Sequence, residues 1–302
     1  MAKVLVICGA TASGKTALSL ACAKAFNGEI ISADSMLVYK GLDIGTAKPS
    51  IEEREGIPHH LIDVVAPMES FSVSDYEAVA LPIVEDLLAQ GKTPIICGGT
   101  GFYINSILFK SQFGNVGANE EIRAKYEALA QEHGNEYVHD ILKQKDPESA
   151  KKLHPNDLKR VIRALEIYDI TGKAKSEQQD VLTPRFDFVS VSIEHPRDKL
   201  YNRINLRVDE MFKQGLIEEV QGLLNCGVTE QMQCMQGIGY KEVAEGLRLG
   251  WSIEEIKELI KKNTRNYAKR QQTFFKRMQN HTFLSPESAT VEEVAKLLLC
   301  HA

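Results

Sequence analysis

Along the first hundred residues, hydrophobic positions switch between two patterns. Val4 to Cys8 is a continuous apolar run, the length of a strand buried on both faces. A glycine-bracketed polar loop follows, and Thr16 to Phe26 then carries helical spacing. Glu29 to Ala33 and Pro58 to Val65 repeat the strand signature. Ser74 to Gln90 is an amphipathic helix ended by Gly91, and Thr93 to Cys97 is a buried strand ended by Gly98 and Gly99. This alternation predicts a doubly wound parallel sheet. From about Asn119 to Lys175 charged helical patterns replace the strands. Phe186 to Ile193 reads as one more strand, and Lys199 to Met278 as helix broken near Gly227 and Gly250. The expected class is α/β: a phosphate-loop (P-loop) parallel-sheet core flanked by helices, with an all-helical insert domain. Residues 1–115 and 186–302 would form the core and residues 116–185 the insert.

Composition narrows the setting. A chain of 302 residues that is 43% hydrophobic can bury a substantial core. The six cysteines form no C-x-x-C pair; Cys8, Cys22 and Cys97 lie in apolar segments and read as buried thiols, so no zinc site is expected. No apolar run approaches the roughly 20 residues of a membrane helix, and Lys3 leads directly into a strand rather than a signal peptide. A reduced, cytoplasmic protein without membrane attachment is the expectation. The net charge of −5 argues against nonspecific coating of nucleic acid but permits a local basic groove.

The candidate chemistry begins at Gly9-Ala10-Thr11-Ala12-Ser13-Gly14-Lys15-Thr16, which fits G-x-x-x-x-G-K-[ST] at each fixed position. Backbone amides and the helix N-terminus would cradle a di- or triphosphate, Lys15 would add a full charge, and the Thr16 hydroxyl could ligate Mg²⁺. Ligands of open parallel sheets bind beyond the carboxyl ends of the strands. Two further loops leave such ends: Ala33-Asp34-Ser35 and Gly98-Gly99-Thr100-Gly101. Asp34 there is a general base for a nucleophile, or else a helix cap or Mg²⁺ ligand; Thr100 could orient the nucleophile. Arg203 and Arg207, four apart on a helix, either clamp a phosphate or pair with Asp209 or Glu210.

Two basic runs stand out in an acidic chain. One holds Lys261, Lys262, Arg265, Lys269, Arg270, Lys276 and Arg277, interleaved with Tyr267, Phe274 and Phe275. The other, in the insert, holds Lys151, Lys152, Lys159, Arg160 and Arg163. They suit either a groove that tracks a nucleic-acid backbone, with aromatic stacking platforms, or solvated helix faces.

The P-loop, then Ile31-Ser32-Ala33-Asp34-Ser35, Tyr39 through Pro49, Pro58-His59-His60, Gly98-Gly99-Thr100, His154-Pro155-Asn156-Asp157 with Arg163-Ala164-Leu165-Glu166, Gly237 through Glu242, and Lys269-Arg270-Gln271 occur in one order. In this the chain resembles the tRNA dimethylallyltransferases, also called tRNA isopentenyltransferases, over nearly its whole length. The resemblance implies transfer of a dimethylallyl group from dimethylallyl diphosphate to the exocyclic amine of the adenine 3′ to the tRNA anticodon. The P-loop would then hold the donor's diphosphate together with Mg²⁺, helped by Arg203 or Arg207. Asp34 matches the general base and Thr100 the residue that positions the amine. Asp34, Ser35, Met36, Leu37 and Thr100 match the adenine pocket. Arg123, the segment Lys159, Arg160, Val161, Ile162 and Arg163, the segment Gln236, Gly237, Ile238, Gly239, Tyr240 and Lys241, and Lys269, Arg270 and Gln271 match tRNA-contacting parts. The insert would grip the anticodon stem-loop. Leu37 and Phe274 depart from the Gln and Trp of many relatives. Oligomeric state is unconstrained by the sequence, a monomer is the default expectation, and no protein partner is inferred. The alternatives are an adenylate isopentenyltransferase acting on free nucleotide, a P-loop nucleotide kinase that binds ATP, and a noncatalytic RNA-binding protein.

Overall fold

The computed structural model describes residues 3–110, 117, 119–177 and 183–300. Among them the chain divides into two compact units, Met1–Leu108 with Arg185–Ala302, and Phe109–Pro184. The sequence reading put the change at 115/116 and 185/186; the first of these positions lies outside the described residues.

In the first unit, β1 (Val4–Cys8) leads through the P-loop into α1 (Lys15–Ala25), followed by β2 (Gly28–Ala33), β3 (His59–His60), α2 (Val73–Ala89), β4 (Thr93–Gly98) and α3 (Gly101–Leu108). The second unit runs from β5 (Phe109–Lys110) through α4 (Glu120–His133), α5 (Asn135–Lys145), α6 (Pro147–Lys152) and α7 (Leu158–Thr171) to β6 (Thr183–Pro184). The chain returns to the first unit with β7 (Phe188–Ile193), α8 (Arg197–Lys213), α9 (Leu216–Asn225), α10 (Tyr240–Leu249), α11 (Ile253–Phe275), β8 (His281–Leu284) and α12 (Val291–Cys300).

The main sheet has the order β3-β2-β4-β1-β7-β8, with every pair parallel. All five residues of β1 are buried, as a central strand covered on both faces requires. Leu5, Ile7, Ile30, Ile95, Val189 and Val191 build the core with Leu18 and Cys22 of α1. The insert is mainly helical, with its own core around Tyr126, Val138, Leu142, Val161 and Leu165; β5 and β6 form an antiparallel pair at its ends.

Several elements depart from the sequence pattern. The strand expected over Pro58 to Val65 shrinks to His59–His60, because Leu61 and Asp63 take positive φ and break the extended run. Gly215, at φ +100°, separates α8 from α9 where one helix was expected. After the basic helix α11 come β8 and α12, which the sequence pattern did not mark. No helix among the described residues is long and apolar enough to cross a membrane.

Candidate active site

The carboxyl ends of β1, β2 and β4 deliver three loops to one edge of the sheet. Cys8 pairs with Gly98, and Ala33 with Gly98 on the other side, so the loops leave adjacent registers. Their spacing is tight. Thr100 donates its amide to Ala33 O at 3.1 Å, and its hydroxyl oxygen accepts from Ser35 N at 3.1 Å. A Cβ at Gly99 would overlap the Gln271 amide, and one at Gly101 the Phe274 ring. These glycines are therefore demanded by close approach rather than by turn chemistry alone.

The P-loop closes a cradle. Lys15 Nζ donates to Ala10 O at 2.7 Å, and Arg203 Nε donates to Ala12 O at 2.7 Å. His195, which the sequence motifs did not single out, donates Nε2–H to Ser13 O at 2.8 Å. The Ser13 hydroxyl is buried without a hydrogen-bond partner among the described residues. Ala12 to Thr16, Arg203, Leu206 and Arg207 line a cavity of about 360 Å³. Burial, then the neighbouring Arg207, pulls the Lys15 pKa below that of a free lysine. Burial likewise lowers that of Arg207. Crowded, incompletely solvated cations of this kind favour an anion between them.

Neither arginine forms the local pair with Asp209 or Glu210 that the sequence also allowed. Asp209 pairs with Lys261 at 2.8 Å and Glu210 with Lys213 at 3.3 Å. Arg207 instead donates to Thr46 O at 3.4 Å.

A second cavity, of about 280 Å³, is lined by Thr11, Asp34, Ser35 and Met36 on one side and by Gln236, Gly237, Ile238 and Tyr240 on another. Ile204, Val208 and Met211 of α8 and Ile260, Thr264, Tyr267 and Arg270 of α11 complete it. Arg207 borders both cavities, whereas Arg203 borders only the first. Asp34 Oδ1 accepts from Met36 N at 2.9 Å, leaving Oδ2 without a partner among the described residues. Burial pushes the Tyr267 hydroxyl up to about 12, and the Asp34 charge adds to it.

Not every expected tRNA contact is at the surface. Lys159, Arg160, Gln236, Lys241, Lys269 and Arg270 are exposed. Val161 and Ile162 are 0% and 4% exposed and pack in the insert core; as apolar residues at helix spacing they face inward. Arg123 and Arg163 both bind the buried Glu166 carboxylate. Gly237, Gly239 and Tyr240 are buried, the Tyr240 hydroxyl donating to Glu219 at 2.5 Å. Gln271 is 5% exposed and bonded on both sides of its amide. Leu37 is partly buried and lies outside the lining of the second cavity. The contribution of Tyr267, absent from the expected set, could have been read from its place one helical turn before Gln271.

Thr16, the residue expected to ligate Mg²⁺, is exposed at the first turn of α1. The described residues hold no group of three or more His, Cys, Asp or Glu able to bind a metal. A hard cation taking most of its ligands from phosphate and water fits that donor set.

The parallel sheet and its strand-end cradle define a P-loop α/β protein with a second chamber beside the P-loop cavity. Residues 37–278 match the model of the IPP transferase family. The chain belongs to that family. It is 48% identical to the tRNA dimethylallyltransferase of Acetivibrio thermocellus over 97% of this chain and 95% of the relative. Among solved structures it is similar to the tRNA isopentenylpyrophosphate transferase of Bacillus halodurans (41% identity, TM-score 0.72, covering 100% and 95% of the two chains). It also matches a eukaryotic dimethylallyltransferase described as acting on tRNA (33% identity, TM-score 0.81, covering 96% and 74%).

Proposed function

We propose that this chain transfers the dimethylallyl group of dimethylallyl diphosphate to the exocyclic amine of the adenine at tRNA position 37, 3′-adjacent to the anticodon, giving isopentenyladenosine. The observation that carries the reading is the pair of cavities joined by Arg207: one built for a diphosphate, the other holding a free carboxylate oxygen. The donor's diphosphate occupies the P-loop cradle and its allyl carbon faces the second chamber. The target base, unstacked from the anticodon loop, enters that chamber. The adenine amine attacks C1 of the donor, the C1–O bond breaks, and the diphosphate leaves with the bonding pair. The amine proton passes to Asp34, while Thr100 orients the amine. P-loop amides, Lys15 and Arg207 stabilise charge growing on the leaving group. The Thr16 hydroxyl would hold a Mg²⁺ ion, which would supply further electrostatic stabilisation of the leaving group.

Exposed Lys159, Arg160, Lys241, Lys269 and Arg270 contact tRNA phosphates in this reading. The protein acts as a monomer in the cytoplasm. The test is mass spectrometry of unmodified anticodon stem-loop RNA incubated with protein, Mg²⁺ and dimethylallyl diphosphate. One added prenyl group at the expected adenine is the predicted result. Transfer to AMP or ADP but not RNA would move the protein to free-nucleotide prenylation. Transfer to neither would leave a P-loop kinase or a noncatalytic RNA binder.

A further inference from the structure

One side chain spans the two loops that the reaction above must hold in register. Gln271 sits on α11, far in sequence from both. Its Oε1 accepts from Thr11 N in the P-loop at 2.9 Å. Its Nε2 donates to Gly99 O, just before Thr100, at 3.0 Å. The residue is 5% exposed, and the space it fills at Gly99 exists only because that position has no Cβ. One turn earlier on the same helix, Tyr267 lines the second cavity; three residues later, Phe274 covers Gly101. The sheet fixes β1 and β4 only as far as Cys8 and Gly98. Beyond that point, Gln271 bonds to both loops at once.

Resting on the proposed prenyl transfer, we infer that Gln271 is a positioning residue that sets the separation between the loop cradling the leaving group and the loop presenting Thr100. It acts through Thr11 and Gly99 rather than by touching tRNA. The chemistry selects glutamine. An amide offers one acceptor and one donor on a single plane, matching one amide N–H and one carbonyl. Glutamate only accepts, so its carboxylate would face the Gly99 carbonyl with no proton to share. Asparagine is a methylene too short to reach both.

Each loop keeps its other contacts when the strut is lost: Lys15 and Arg203 on the P-loop, Ser35 and Ala33 on Thr100. Both substrates therefore still bind, and only the alignment of amine and allyl carbon loosens. Misplacement of reacting atoms by about 1 Å can cost on the order of 100-fold in rate.

The experiment compares wild type with Gln271→Met, which keeps the side-chain volume and so the packing, and with Gln271→Glu. Single-turnover prenylation of anticodon stem-loop RNA is measured beside the Kd of dimethylallyl diphosphate and of RNA. The expected result is a rate loss of about 10–100-fold with both affinities within about twofold of wild type. Gly99→Ala attacks the same bond from the other side, so the double variant Gln271→Met/Gly99→Ala should be no slower than the slower single variant. Hydrogen exchange gives an independent readout: the Thr11 amide should exchange faster in Gln271→Met while α1 amides stay protected. A variant at full rate with an active wild type overturns the strut alone. So do affinities that fall in step with the rate, multiplicative losses in the double variant, or an unchanged Thr11 amide. A wild type inactive on RNA instead overturns the prenyl-transfer reading, and the strut with it.

Discussion

In the helical unit, the Glu166 carboxylate meets two guanidiniums, of Arg123 and Arg163, and the Asn119 amide. In the α/β unit, the Arg207 guanidinium meets one carbonyl at 3.4 Å and two cavities. Both are charges taken partly out of water. Two further acids of the insert are satisfied in the same way: Asp146 accepts from Ser149 N and from the Ser176 amide and hydroxyl, and Asp169 holds Tyr126 and Lys145. Around the P-loop, among the described residues, Arg207 holds one carbonyl at 3.4 Å, the Ser13 hydroxyl has no partner, and Asp34 keeps one oxygen free. A buried charge with its partners in place holds a fold; one without them waits for a ligand. Burial alone therefore does not distinguish scaffold from site.

The sharpest way to test this contrast is to neutralise one carboxylate of each kind. Asp34→Ala should slow single-turnover transfer by about 10²–10⁴-fold and leave the melting temperature close to wild type. An unchanged rate would remove Asp34 from the role of base. Glu166→Gln should do the reverse: chemical denaturation is expected to show a loss of about 2 kcal/mol, moderated by the partial exposure of both arginines, with donor affinity intact. That loss should depend on pH. Burial alone would raise the Glu166 pKa, but the Asn119 amide, Arg163 and Arg123 outweigh it and hold it below the ordinary range. Its contribution is thus complete only above the ordinary glutamate pKa of about 4.3 and drains away as pH falls from there through the depressed value. Wild type and Glu166→Gln should converge in stability as pH falls below the ordinary glutamate range, and parallel curves would contradict the assignment. Thr100→Ala, which in the proposed mechanism removes about one hydrogen bond to the acceptor, should cost roughly tenfold in rate. The smallest effects belong to exposed cations. Charge reversal at Arg160 or Arg270 should weaken tRNA binding and lower its salt-dependence slope by about one per lost phosphate contact. Donor binding that fell equally would mean these residues serve the fold.

The parallel sheet, the P-loop and the three strand-end loops were legible in the sequence because each loop ends an apolar run, and two of them, at Gly9 and Gly99, lead through glycine into a helix. Val4 to Cys8 and Thr93 to Gly98 needed no tertiary information. What stayed hidden depends on partners distant in the chain. Nothing local marks Gln271 as bound to Thr11, or His195 to Ser13. The basic segment of the insert misled in one respect. Val161 and Ile162 sit between Arg160 and Arg163 in sequence, yet helical geometry turns them to the opposite face, into the core. Only a choice of helix face could have separated them.

The place of β1 in the sheet has a consequence for how this chain is made. The strand that carries the P-loop is synthesised before every other strand of the sheet, yet it lies between β4 and β7. Val4 finds its partner at Phe188, after the whole insert has been translated. At ordinary elongation rates of about 5–20 residues per second, that partner emerges on the order of 10 s later. Until then one edge of an apolar strand stands open, a pairing of high contact order that is slow to close and vulnerable to wrong neighbours. The nascent chain thus completes its phosphate cradle late, and Arg203, Arg207 and Gln271 arrive later still.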